Sequence, residues 1–140
     1  MIVLDTNVIS ELMRRAPDPK VMAWLSTQPL AGVFTTSLTE AEIFYGLALL
    51  PEGRRRQDLL AAARGLFDED LAGRVLPFDT DAARFYPDIA AARQRRGQPI
   101  SQVDAQIAAI VRSRGARLVT RNVRDFAECG ISITDPWVDA

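Results

Sequence analysis

The chain has 140 residues, 48% of them hydrophobic, and a formal net charge of -1, which predicts one domain spanning residues 1–140 around a single sizeable core. It has no histidine and a single cysteine, Cys129, which excludes Ser-His-Asp and Cys-His nucleophilic systems, an imidazole-based zinc site and an internal disulfide. No apolar run approaches the ~20 residues of a membrane span or carries the flanks of a signal peptide, so a cytoplasmic protein without membrane attachment is expected.

Ile2-Val3-Leu4 reads as a strand buried on both faces, ending at Asp5, where the central strand of an α/β sheet gives out. A helix from about Asn7 to Arg15 stops before Ala16-Pro17-Asp18-Pro19. Asp18 then caps a second helix with Pro19 at its first position and a stripe of Val21, Trp24 and Leu25. Gly32 to Thr36 is a second strand. Ser37-Leu38-Thr39-Glu40 has the form of a capping box for a helix over about Thr39 to Leu50. A longer helix is expected over Arg54 to Phe67, with Leu59, Leu60, Ala63, Leu66 and Phe67 inward, followed by a third strand over Arg74 to Phe78. Asp79 or Thr80 caps a helix reaching Arg96, which Pro87 bends and Gly97 closes. Ser101 caps a helix to Arg114, with Gly115 as its stop. Arg117 to Thr120 is a strand, Val123 to Glu128 a helical turn, and Ile131-Ser132-Ile133 a last strand. Strands alternating with helices imply an α/β fold with a mainly parallel sheet covered on both faces.

Without histidine or a usable cysteine pair, any catalysis must run on carboxylates, hydroxyls, arginine or an oxygen-held metal. In a parallel sheet the helix N-termini lie at the carboxyl edge of the strands. Asp5 therefore shares one rim with Glu42, expected in the opening turn of the third helix, with Asp104, in the first turn after Ser101, and with Asn122 and Asp125. Like charges gathered so repel unless a cation offsets them, and oxygen-only ligands select a hard ion, Mg²⁺ or Mn²⁺. Other uses of these acids exist. Asp104 and Asp125 also suit helix caps, and Glu40 is an equal rival to Glu42. Gly46, one turn beyond Glu42, removes a side chain where a ligand could approach, although helix packing also accounts for a glycine.

The basic residues are sixteen arginines and one lysine, Lys20. They cluster at Arg54 to Arg56, Arg93 to Arg96 and Arg112 to Arg124, either as phosphate-binding groups or as solvated helix faces. The acids balance them overall, so nucleic-acid binding would require a local patch.

The segments IVLDTNVISEL, TTSLTEAEIFYGLALLPEGRRR and GQPISQVDAQIAAIVRSRGARLVTRNVRDFAECGISITDPW together resemble PIN-domain proteins, of the VapC and FitB type found in type II toxin–antitoxin modules. The order and spacing of DTN, E-x-x-x-G, D-x-x-I-A-A and TRN-x-x-DF carry the likeness. It implies a PIN-like three-layer α/β/α sandwich with four to five short strands. It also implies a ribonuclease in which Asp5, Glu42 and Asp104 form the catalytic set, with Asp5 and Asp104 on Mg²⁺ or Mn²⁺, and it makes Glu40 a bystander. Thr6, Asn7 and Thr120 would hydrogen-bond the carboxylates or the phosphate. TRN places Asn122 where many relatives carry a fourth acid, a role that Asp125 could take instead.

By the same resemblance the substrate is RNA. The partners are a small antitoxin that inserts a tail into the active-site groove and a second copy of the chain, as a homodimer or within a larger toxin–antitoxin assembly. An apolar surface formed by Val21, Trp24, Leu25, Phe44, Tyr45, Leu49 and Leu50 would serve such contacts. Two rival classes are a phospho-aspartate phosphatase or receiver, which also puts an acid after the first strand, and an inert PIN-like binding protein.

Overall fold

A computed structural model describes residues 1–139. Five short parallel strands form one sheet: β1 (Ile2–Leu4), β2 (Val33–Thr36), β3 (Val75–Leu76), β4 (Arg117–Val119) and β5 (Ser132–Thr134), in the order β3-β2-β1-β4-β5. The central strand β1 pairs Ile2 with Val33 on one side and with Arg117 on the other. Alternation along such a strand sends successive side chains to opposite faces. Val3 and Leu118 accordingly meet helices α5 (Thr80–Arg95) and α6 (Gln102–Ser113). Ile2, Leu4 and Val119 meet α1 (Thr6–Leu12), α2 (Pro19–Ser26), α3 (Ser37–Ala48) and α4 (Arg54–Arg64). The result is the expected α/β/α layering. Among the described residues no helix is long and apolar enough to cross a membrane.

Most caps fall where the side chains dictate. Asp18 accepts the Lys20 N–H at 2.8 Å, Asp79 that of Ala82 at 3.0 Å and Ser101 Oγ that of Asp104 at 3.1 Å. The third helix departs from expectation. Its cap is Thr36, extended at φ -121°, ψ 156°, whose hydroxyl accepts the Thr39 N–H at 3.1 Å. The chain thus enters the helix directly from β2, the Ser37 box is not used, and Glu42 lies one turn deeper than the opening turn. Helix α1 stops at Leu12, well before Arg15, because the buried Glu11 carboxylate accepts the Asp18 N–H at 2.9 Å and draws the chain round. The fourth helix ends at Arg64 and continues as a π-helical turn over Gly65–Asp70, and β3 keeps only two of the five residues expected of it.

Arg93 corrects a second expectation. It is only 6% exposed and belongs to no solvated cluster. Its Nε donates to the Gln98 carbonyl at 2.8 Å, and its Nη1 donates to those of Asp125 at 2.9 Å and Ala127 at 3.0 Å. One side chain thus ties the end of α5 to the segment after β4. Beside it Cys129 is buried, and burial pushes its thiol up. The expected apolar surface also divides: Val21 is core, Trp24, Leu25, Phe44 and Leu50 are half-buried, and Tyr45 (67%) and Leu49 (68%) stand exposed.

Arg93→Met would keep the stem and remove every donor from three carbonyls in one step. A loss of about 3 kcal/mol is expected, read as a lowered urea midpoint with unchanged slope. A shift below the size of an ordinary surface substitution would contradict this account.

Candidate active site

Asp5 occupies the point where β1 hands over to α1. Its N–H completes the ladder to the Val119 carbonyl at 2.9 Å, and its own carbonyl accepts from Val8 and Ile9 to start the helix. Its side chain does not cap that helix, although it stands at the N-cap position. The carboxylate, on a residue 4% exposed, instead accepts the Thr120 hydroxyl at 2.7 Å and lies 3.4 Å from the Asn7 amide nitrogen. Asn7 Nδ2 donates to Thr120 Oγ1 at 3.1 Å, and Asn7 Oδ1 accepts the Arg121 N–H at 3.1 Å. Asn122 N–H also donates to Thr120 Oγ1, at 3.0 Å. The Asp-Thr-Asn triplet and the Thr-Arg-Asn triplet thus interlock across β1 and β4.

Glu42 reaches the same rim from α3. Its Oε1 accepts the Thr6 hydroxyl at 3.0 Å, and Thr6 Oγ1 also contacts the buried Thr39 hydroxyl at 3.2 Å. Glu40, on the same helix, makes no such contact with α1. Asp104 stands half-buried in the first turn of α6, behind the N-cap Ser101. Burial raises the Asp5 carboxyl above the ordinary range, against the Thr120 bond, and the charges of Asp104 and Glu42 raise it further. Asp104 is raised by burial, with Asp125 and Glu42 adding to the effect and the Ser101 bond and the Arg93 charge opposing it.

The structure therefore brings Asp5, Glu42, Asp104 and Asp125 within electrostatic reach at one edge. Among the described residues none of these acids is ion-paired, and no three of them stand in an arrangement that could hold a metal ion. Asn122 is exposed and contributes a backbone N–H to Thr120, while Asp125, also exposed, offers its carboxylate toward Asp104 and its carbonyl to Arg93.

The sequence profile of the family described as PIN domain matches residues 2–131. The chain belongs to the PIN domain family. It is similar to the VapC ribonuclease Y4jK of Sinorhizobium fredii, at 42% identity over the whole of both chains. It is also similar to the toxin FitB of Neisseria gonorrhoeae, at 35% identity over 99% of this chain and 100% of that one. The solved structure of FitAB bound to an IR36 DNA fragment superimposes with a TM-score of 0.90 at 35% identity, over 98% of this chain and 96% of that chain.

Within this PIN domain, Thr35, Thr36 and Thr39 are fully buried polar residues that sequence reasoning left unassigned. Thr35 Oγ1 donates to the Leu4 carbonyl at 2.8 Å, beside Asp5. A threonine pair closing a strand was the available signal, since a buried hydroxyl must find a partner. Replacing Thr120 by valine, nearly isosteric, would take from Asp5, Asn7 and Asn122 the one hydroxyl that all three meet. A loss of about 2 kcal/mol is expected by urea denaturation, with Thr120→Ser restoring most of it. An unchanged Thr120→Val together with a destabilised Thr120→Ser would mean that the methyl group, and not the hydroxyl, matters there.

Proposed function

We propose that this protein is a PIN-domain ribonuclease toxin of the VapC and FitB type, formed by a single domain over residues 1–140, that cleaves RNA phosphodiester bonds with Mg²⁺ or Mn²⁺. The observation that carries the reading is the buried Asp5 facing Glu42 and Asp104 without an ion-paired cation. An all-oxygen donor set of mutually repelling acids suits a hard divalent ion. Asp5 and Asp104 would hold it, with Glu42 close by. When bound, the ion lowers the pKa of water and offsets the charge that develops on the reacting phosphate.

The chain's own residues do the rest. Thr120 and Asn7 fix the orientation of the Asp5 carboxylate, so that it need not reorganise when substrate arrives. Thr6 holds Glu42 toward the rim, where it can accept a proton from the attacking water. Asp125 adds charge next to Asp104 and is our choice over Asn122 for completing the site. The phospho-aspartate reading is not favoured, since Asn7 stands where such a phosphatase needs its second acid and the lone lysine, Lys20, is not the late lysine a receiver requires. An inert binding role is not favoured either, because the acids expected from the sequence share one rim.

The similarity to FitB and to the FitAB complex supports a cognate antitoxin and a toxin–antitoxin assembly as partners. A homodimer follows from the same reading, with exposed Tyr45 and Leu49 available for contact. Light scattering at micromolar concentration should give twice the 15.5 kDa of one chain, and a monomer mass would remove the dimer.

The decisive test uses thermal melts in chelator and in excess Mn²⁺, with RNA cleavage assayed in parallel. Asp104→Ala should match or exceed the wild-type melting temperature in chelator, lose the stabilisation by Mn²⁺, and lose cleavage. A uniform loss of about 1 kcal/mol under both conditions with the metal response intact would make Asp104 a helix-end residue only and defeat the proposed site.

A further inference from the structure

Beside Glu42 the rim opens into a groove that the chemistry above leaves unused. Its first compartment, about 280 Å³, lies between α1, α3 and α4 and is lined by Thr6, Met13, Glu42, Gly46, Leu47 and Leu59. One wall is therefore the Thr6–Glu42 pair, Ser10 and Arg14 add two further polar groups, and the remainder is apolar. The second compartment, about 850 Å³, shares Met13, Arg14 and Leu59 with the first and runs on past Arg15, Arg54 and Arg55, with Asp58 as its one acid. Arg14 is paired with Glu11 at 3.0 Å. Arg15, Arg54 and Arg55 are exposed, and none is ion-paired among the described residues.

Gly46 is the informative residue. Its φ is not positive, and a Cβ built there would meet nothing within 4 Å, so neither backbone conformation nor crowding requires glycine. A glycine inside a helix weakens it. What the missing side chain provides is the open wall of the first compartment, one turn beyond Glu42.

We propose that this groove carries the RNA strand on one side of the scissile phosphate. One splayed nucleobase enters the compartment walled by Met13, Gly46, Leu47 and Leu59, and the phosphates that follow lie over Arg15, Arg54 and Arg55. The inference rests on the ribonuclease reading. The first compartment is near the ~300 Å³ lower end of small-ligand pockets, suited to a single base and not to a base pair. Single-stranded RNA is recognised through unstacked bases, and its backbone through arginine. The order of the features also fits one strand: acids at the reacting phosphate, an apolar slot beside them, and unpaired cations beyond.

The test measures binding of a short, fluorescently labelled, mixed-sequence single-stranded RNA in an Asp104→Asn background, and cleavage patterns in the otherwise native protein. Gly46→Leu fills the slot without removing any acid, and it should weaken binding roughly tenfold and alter the base preferred next to the cut. Gly46→Ala, too small to fill it, should bind as the native protein does. Arg54→Gln with Arg55→Gln should flatten the dependence of log affinity on log salt by roughly 0.7 per lost contact. Arg84→Gln, on the opposite helical layer, should change neither.

If native protein cleaves RNA while the Gly46→Leu and double-arginine variants bind and cut as it does, the groove assignment is overturned and the ribonuclease reading stands. If native protein cleaves no RNA, the ribonuclease reading fails and takes the assignment with it. Loss of antitoxin retention by Gly46→Leu with unchanged RNA binding would overturn the assignment in favour of a protein segment in the groove.

Discussion

The structure depends on one buried carboxylate and the hydroxyl that meets it. Asp5 stands at the N-cap of α1, where an aspartate would ordinarily accept N–H groups of the first turn. It forgoes that bond and turns instead to Thr120 at the end of β4. A carboxylate on a residue almost wholly out of water is costly unless satisfied. The fold meets that requirement with Thr120 and Asn7, themselves interlocked, and with backbone bonds that leave Asp5 no freedom to withdraw. The strand pairing of β1 with β4 and the position of the acid are thus one constraint, because slipping the pairing by a residue would part Asp5 from Thr120.

Electrostatics then explains why a nearly neutral chain can address a polyanion. Acids and arginines balance in number but not in place. The carboxylates of Asp5, Glu42, Asp104 and Asp125 gather at the rim, while the arginines serve four different ends, of which ion pairing to Glu11, Glu128 and Asp79 by Arg14, Arg96 and Arg114 is one. Arg93 is buried and holds backbone carbonyls. Arg112 and Arg121 lie over the rings of Phe85 and Trp137, at 5.2 and 4.9 Å from the ring centres. Arg15, Arg54 and Arg55 remain free beside the groove. A residue type that reads as one population in the sequence is several in the fold.

The strands, the layering and the rim were legible because each rests on a local signal: β-branched runs for β1 and β4, caps at Asp18, Asp79 and Ser101, and acids placed relative to both. What was not legible rests on contacts distant in sequence. Ser37 and Thr36 are equally able to cap a helix, and the choice falls to Thr36 because β2 runs that far in register with Leu76. That choice, with the contact of Thr6 to Thr39, sets the face that α3 turns to α1, which distinguishes Glu42 from Glu40. Arg93 looked like surface because its partners are the carbonyls of residues 125 and 127, which carry no sequence signature. The order of strands in the sheet has none either, since β1, β2 and β4 are similar short apolar runs.

The site is also where local rules are broken in compensated ways. Repelling acids, an uncapped first turn in α1 and a mid-helix glycine each reduce stability, and all three lie along the same edge. Against them α6 buries Ala105 and every residue from Ile107 to Val111, so the element that presents Asp104 is among the most firmly packed in the molecule. α3 repeats the arrangement on the other layer. Ile43 and Leu47 anchor it in the core, which leaves Glu42 and Gly46 on the face that opens to the groove. Rigid apolar packing on one side of a helix is what allows the other side to hold a charge and an open space that, taken alone, would favour unfolding.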